Sequence, residues 1–193
     1  MAIFTSSYLK SRYSSSLITE QKQMFSNIDK SQLKFDIFLS HSFLDRDEVL
    51  GLYRELTEMG FKVYVDWIVD PELDRNNVTK ATAELIRNRM KNSKTLLLAI
   101  STNATMSKWM PWELGYADGN TGRCAIIPIS RENLSLYSFN RIEYLKLYPY
   151  VDRATLKNSQ DYKLWVNEDE NTYVQFESWM NGSNPFKRFY DKL

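Results

Sequence analysis

Thr95-Leu96-Leu97-Leu98-Ala99-Ile100 is the stretch on which the fold turns. A strand with one wet face alternates apolar and polar residues. This one does not alternate, so it reads as a central parallel strand buried on both faces. N-terminal to it, Val78, Ala81, Ala83, Leu85, Ile86 and Met90 recur at helical spacing and predict a helix. A long polar loop over 67–77 precedes that helix, and before the loop lies a short strand over 61–65 closed by Asp66. Val49, Leu52, Tyr53 and Leu56 space as an earlier helix stopped by Gly60. Ahead of that helix, Phe35-Asp36-Ile37-Phe38-Leu39 reads as a buried strand running into Ser40-His41-Ser42. C-terminal to the central strand, a helix is expected from about Ser107 to Asp118, ending near Gly119. Ala125-Ile126-Ile127-Pro128-Ile129 then forms a fourth strand. Strands alternating with helices predict an α/β chain with a doubly wound, mostly parallel sheet.

The flanks are less regular. Residues 1–33 are polar and Ser-rich, an N-terminal extension expected to be helical or partly ordered. Residues 34–193 read as one domain whose C-terminal part, from about 131, is atypical. There Glu143 to Val151 is expected to hold an edge strand, because Pro149 cannot donate to a central ladder. Tyr162 to Val166 is a further short strand. Tyr173, Phe176 and Met180 space as a C-terminal helix ended by Asn181-Gly182.

Composition excludes several classes. In 193 residues, 25 Lys+Arg face 24 Asp+Glu, and the longest cationic cluster, Arg87-Asn88-Arg89-Met90-Lys91, fits the solvated face of a helix. Neither a basic excess nor a basic stripe points to nucleic acid. Cys124 and His41 are the only residues of their kinds, so no internal disulfide and no Cys/His zinc site is expected, and no metal is assigned. Cys124 sits in a buried-strand pattern and reads as core. The first residues lack a basic start followed by an apolar run, and the longest wholly apolar run is Leu96 to Ile100, so neither a secretory signal nor a membrane span is expected. The expected setting is the cytoplasm.

Ligands of open parallel sheets bind at the C-terminal ends of the strands. Four segments arrive there: Ser40 to Phe43, Asp66 with its loop, Ser101-Thr102-Asn103, and the start of the helix in Ser107-Lys108-Trp109-Met110-Pro111-Trp112-Glu113-Leu114. Ser107 is a candidate N-cap and Pro111 belongs in a first helical turn. Trp109, Trp112, Glu113 and Tyr116 stand at i, i+3, i+4 and i+7, which places a carboxylate beside aromatic rings near a helix N-terminus. That arrangement suits a ligand with a flat base and a sugar on which positive charge develops. The same spacing fits core packing of the two tryptophans, with Glu113 hydrogen-bonded to a loop. His41 is either a donor to a phosphate or ribose hydroxyl, or a loop cap. Asp66 reads as a loop cap, and Asp70, Glu72, Asp74 and Arg75 read as a solvated charged loop or an interface.

Phe35 to Ser42, the strand end Val63-Tyr64-Val65-Asp66-Trp67, and Ser107 to Leu114 resemble, in that order, the landmark segments of the TIR (Toll/interleukin-1 receptor) domain family. They look similar to the short bacterial members of Thoeris-type anti-phage systems. The resemblance covers about residues 34–130. It implies a flavodoxin-like three-layer sandwich. It also implies an enzyme that cleaves NAD at the nicotinamide–ribose bond, yielding nicotinamide and ADP-ribose or a cyclic isomer, with NAD as substrate and no cofactor. The family's catalytic Glu closes a Trp-x-x-x-Glu motif, matched by Trp109 to Glu113, so the resemblance carries catalysis to Glu113 and nucleotide contact to Trp109. The loop after the first strand lies against the nucleotide in the family, which implicates His41, Ser42 and Phe43. Implied partners are other TIR domains, by self-association, and a separate effector reached through a nucleotide signal. In the family the loop after the second strand carries a Gly near its tip. Residues 67–77 hold none, so that loop's gating and assembly role is not carried over. Two other readings are a non-enzymatic adaptor acting by homotypic association and a nucleoside-processing enzyme such as a deoxyribosyltransferase. A phosphorelay receiver needs an Asp where this chain has Ser101.

Overall fold

The computed structural model describes residues 3–13, 15–26, 28–73, 79–131, 143–156 and 161–187. In chain order the elements begin with β1 (Phe4–Thr5), α1 (Ser6–Ser11), α2 (Ser15–Ser26), β2 (Phe35–Ser40), α3 (Arg46–Glu58) and β3 (Val63–Tyr64). Next come α4 (Asp66–Val69), α5 (Lys80–Lys91), β4 (Ser93–Ile100), α6 (Met110–Thr121) and β5 (Cys124–Ser130). The chain finishes with β6 (Tyr150–Thr155), β7 (Tyr162–Asn167), β8 (Thr172–Gln175), α7 (Phe176–Met180) and β9 (Phe186–Lys187).

The sheet runs β3-β2-β4-β5-β6-β7-β8-β9, and β1 pairs with the end of β5. From β3 to β6 all pairings are parallel, and β4 lies between β2 and β5, with Phe38 opposite Leu96 and Leu98 opposite Ile126. Leu96 to Ile100 are all buried, as an unbroken apolar run requires. The chain leaves β2 for β3 on one side and then crosses to β4 on the other. This reversal opens a crevice at the C-terminal ends of β2 and β4. The helices α5 and α6 pack on each other and on β4.

The last third of the sheet keeps the expected strand at Tyr162 to Val166, as β7, and otherwise differs from expectation. The strand near Pro149 is β6, and it is interior rather than an edge. Pro149 lies one residue before it, where no ladder donor is needed, and its carbonyl accepts from Ile126 N–H at 2.9 Å. β6 meets β5 only at Ile126–Tyr150 but pairs antiparallel with β7 along its whole length. Tyr173 belongs to β8, not to a helix. Pairing with β7 claims it, and its ring meets Trp165 edge-to-face at 5.6 Å, so α7 keeps only five residues. On this hairpin Asp152 is buried, and that burial pushes its carboxyl up to about 6, against the opposing hydrogen bond from the Asn167 amide.

The N-terminal residues are packed into the domain. Phe4 and Leu9 are fully buried, and the Tyr8 hydroxyl donates to Glu55 at 2.7 Å. Arg153 lies 3.9 Å from the Tyr8 ring centre and 5.0 Å from that of Phe4, and its guanidinium is 3.5 Å from Glu55. The closest approach is between α1 and α3, where a Cβ on Gly51 would stand 2.0 Å from the Leu9 carbonyl oxygen. Backbone cannot yield there as a flexible side chain can. We therefore expect Gly51→Ala to lower stability by about 1–3 kcal/mol and to expose residues 3–13 to protease. Urea unfolding and limited proteolysis check this; unchanged midpoint and cleavage would show that α1 does not rest on Gly51.

Candidate active site

The helix that carries Glu113 starts later than its sequence suggests. Trp109 occupies the N-cap position, Pro111 falls in the first turn, and Ser107 Oγ accepts from Met110 N–H at 3.3 Å. The helix also runs past Gly119. It stops at Gly122, whose φ of 58° is the left-handed conformation that glycine adopts most readily.

Glu113 is fully buried at the start of α6, where the helix dipole favours an anion. The Ser40 hydroxyl, also fully buried at the end of β2, donates to its Oε2 at 2.6 Å. The crevice therefore joins two residues 73 positions apart. Three aromatic rings of the same segment are only partly buried and touch one another. Trp109 meets Trp112 edge-to-face at 5.4 Å, and Trp112 stacks on Tyr116 at 6.0 Å.

Beside these rings opens a cavity of about 680 Å³. His41, Ser42 and Phe43 line it from the loop after β2, and Trp109 and Trp112 line it from α6, so four of the five expected site residues meet here. Glu113, the fifth, is not on the lining; it sits behind the wall, next in sequence to Trp112, as Ser40 is next to His41. Phe43 is exposed at the cavity, with the Arg46 guanidinium 5.8 Å from its ring centre. Ser42 is buried and its Oγ accepts from Leu44 N–H at 3.4 Å.

His41 does not stand ready to donate to a ligand. The Trp67 indole N–H can only donate, so His41 Nε2, at 3.0 Å, is the acceptor. The ring proton then sits on Nδ1, 2.9 Å from the Leu39 carbonyl. Both ring nitrogens are engaged, which leaves His41 as a wall of the cavity and a clamp on the loop. Cys124 is buried, and that burial, with the nearby Asp118 charge, pushes its thiol up to about 12, which suits a core residue and not a nucleophile. Among the described residues, no three His, Cys, Asp or Glu side chains cluster to hold a metal, and no helix is long and apolar enough to cross a membrane.

A model of the family described as "TIR domain" matches residues 37–163. The chain belongs to the TIR domain family. Among its relatives is a Bacillus cereus (strain MSX-D12) protein named "Probable 3' cyclic ADP-D-ribose synthase ThsB'", 46% identical over 159 residues, which are 82% of this chain and 81% of the relative. A Cytobacillus dafuensis protein provisionally named cyclic ADP-D-ribose synthase TIR2 is 27% identical over 97 residues, 50% of this chain and 26% of that protein. The crystal structure of the TIR domain of the Toll-related receptor TRR-2 from Hydra magnipapillata aligns with a TM-score of 0.41 and 23% identity, over 58% of this chain and 83% of that one.

In this TIR domain the segment after β3 corrects two sequence expectations. It opens with the single helical turn α4 rather than with loop, and Asp70 at its end is buried rather than solvated. Arg89 grips Asp70 through two hydrogen bonds of 2.8 Å, and the Tyr64 hydroxyl donates to the same carboxylate at 3.0 Å. Burial alone would lower the Arg89 pKa, but hydrogen bonding and charge from Asp70 hold it above its ordinary value. The RNRMK cluster is thus not wholly a solvated face. Asp74, Arg75 and the rest of 74–78 lie outside the described residues. Asp66 is buried, with Oδ1 3.6 Å from His41 Nε2. Sequence reasoning also passed over Arg87 and Lys108, both on the cavity lining. Helical periodicity counts polar residues only as the outer face, so a cation that faces a neighbouring helix looks like one that faces water.

Proposed function

We propose that this TIR domain cleaves NAD at the nicotinamide–ribose bond and closes the remaining ADP-ribose into a cyclic product. The observation that carries the reading is Glu113, a carboxylate buried in the first turn of the helix whose two tryptophans line a cavity roomy enough for a dinucleotide. Its likeness to a relative named as a cyclic ADP-D-ribose synthase, over most of both chains, supports it.

Chemically, the C1′–N bond breaks and its electron pair goes to the pyridinium nitrogen. Nicotinamide leaves neutral, so no general acid is needed. Positive charge spreads over C1′ and the ring oxygen, as in glycoside cleavage. In this proposal Glu113 gives up the Ser40 hydroxyl for the hydroxyls of the reacting ribose and stabilises that charge, while Trp109 stacks on a flat ring. A preorganised charge in a dry site contributes about 3 kcal/mol or more to such a step. An internal hydroxyl of the ADP-ribose then attacks C1′ and loses its proton, which gives the cyclic product; attack by water gives ADP-ribose.

NAD is a substrate in this reading, and no resident cofactor is invoked. The proposed setting is cytoplasmic anti-phage defence, with TIR–TIR self-association and a nucleotide signal read by a separate effector. The test is incubation of concentrated protein with NAD, followed by chromatography and mass spectrometry. Nicotinamide release together with a product one water lighter than ADP-ribose is expected. Cleavage of deoxynucleosides in place of NAD would identify a deoxyribosyltransferase, and absence of both turnover and NAD binding would leave the adaptor.

A further inference from the structure

We propose that Arg87 of α5 and Lys108, two residues before α6, form a subsite for the diphosphate of a dinucleotide. The inference rests on the NAD reading and adds where, and by what, the substrate is anchored.

The cavity lining carries two cations, Arg87 and Lys108, and no carboxylate. In a chain with nearly equal numbers of acidic and basic residues, that local excess is not a consequence of composition. Of the carboxylates near the lining residues in sequence, Glu84 is exposed and off the lining, Asp45 accepts from the Asn103 amide and the Ser101 hydroxyl, and Glu113 is buried and held by Ser40. Among the described residues, neither Arg87 nor Lys108 makes an ion pair, whereas Arg89, two residues along the same helix, is taken up by Asp70 and the Lys30 carbonyl. Two like charges on one cavity repel each other until an anion enters between them. Each phosphoryl group of a diphosphate bridge carries one negative charge near neutral pH, so a diphosphate matches the two cations in number. A guanidinium offers paired N–H donors to phosphate oxygens, and an ammonium acts as a point charge.

The remaining lining fits the rest of such a ligand. Trp109 and Trp112 offer faces and edges for a flat base, and they adjoin both Lys108 and Glu113 in sequence. His41 has no free ring nitrogen for a phosphate. The anion-binding role that the sequence offered to His41 thus falls to Arg87 and Lys108. A diphosphate gripped there would fix the direction of the dinucleotide and leave the nicotinamide ribose to approach Glu113.

The experiment measures binding of ADP-ribose, ADP and adenosine by calorimetry to the wild type, to Arg87→Gln/Lys108→Gln and to Arg87→Lys, with steady-state NAD kinetics alongside. The double variant is expected to weaken ADP-ribose and ADP roughly tenfold or more, because charge-assisted hydrogen bonds are lost. Adenosine should change less than about twofold, since it presents no phosphate to these residues. KM for NAD should rise with little change in kcat, the signature of lost uniform binding, and Arg87→Lys should recover part of the loss. A merely structural role would weaken adenosine equally. Equal binding of ADP-ribose by wild type and double variant, with wild type binding well, overturns this subsite alone. Failure of the wild type to bind either ADP-ribose or NAD overturns the NAD reading and this inference with it.

Discussion

Glu113→Gln is expected to lower kcat/KM for NAD by at least about 10²–10³-fold, the cost of removing one preorganised group aimed at developing charge. Gln is the informative substitution. It keeps the shape of the side chain and can still pair with the Ser40 hydroxyl, whereas Ala would leave that buried hydroxyl without this carboxylate acceptor. The Gln variant should therefore melt close to the wild type and retain NAD binding. Activity within tenfold of wild type, in a folded variant that binds NAD, would sink the assignment of the catalytic charge to Glu113.

The second large effect is on stability. Asp70 and Arg89 are almost wholly buried and share two hydrogen bonds, and the Arg89 guanidinium also donates to the Lys30 carbonyl. Removing one partner strands a charge in the interior, so Asp70→Ala should cost about 3–5 kcal/mol. For a chain of this size that lowers Tm by roughly 10 °C. Asp70→Ala/Arg89→Met removes both charges and should be less destabilised than the sum of the single changes, with a coupling of about 1.5 kcal/mol or more in a double-mutant cycle. Additivity within about 0.5 kcal/mol would mean that the two residues do not act as a pair. The pair joins the end of α4 to α5, which also carries Arg87. Its loss should thus weaken ligand binding secondarily, visible as a KM effect that tracks the fall in Tm.

The parallel half of the fold was legible in the sequence because its signals are local. An unbroken apolar run marks β4, helical spacing marks α3 and α5, and Pro111 fixes where α6 begins to within a turn. The placement of the candidate site was legible for the same reason, since the aromatic residues and Glu113 lie on one short segment. The C-terminal third was harder. Its antiparallel strands are short, and Tyr173, Phe176 and Met180 satisfy helical spacing although a strand ladder claims the first of them. Local propensity is weak evidence where tertiary pairing decides.

By itself, then, the chain's residue order determined the α/β alternation, the crevice at the strand ends and the carboxylate beside aromatic rings. Only the tertiary structure decided which charges are buried and which partners they meet. Ser40 reaches Glu113 across 73 residues, Arg89 turns inward while Arg87 faces the cavity, and Gly51 leaves room for the Leu9 backbone. The physical reason is that periodicity records which face of an element is apolar, whereas the environment of a polar side chain depends on the neighbour packed against it. Sheet order and helix packing set that neighbour, and no local stretch of sequence contains it.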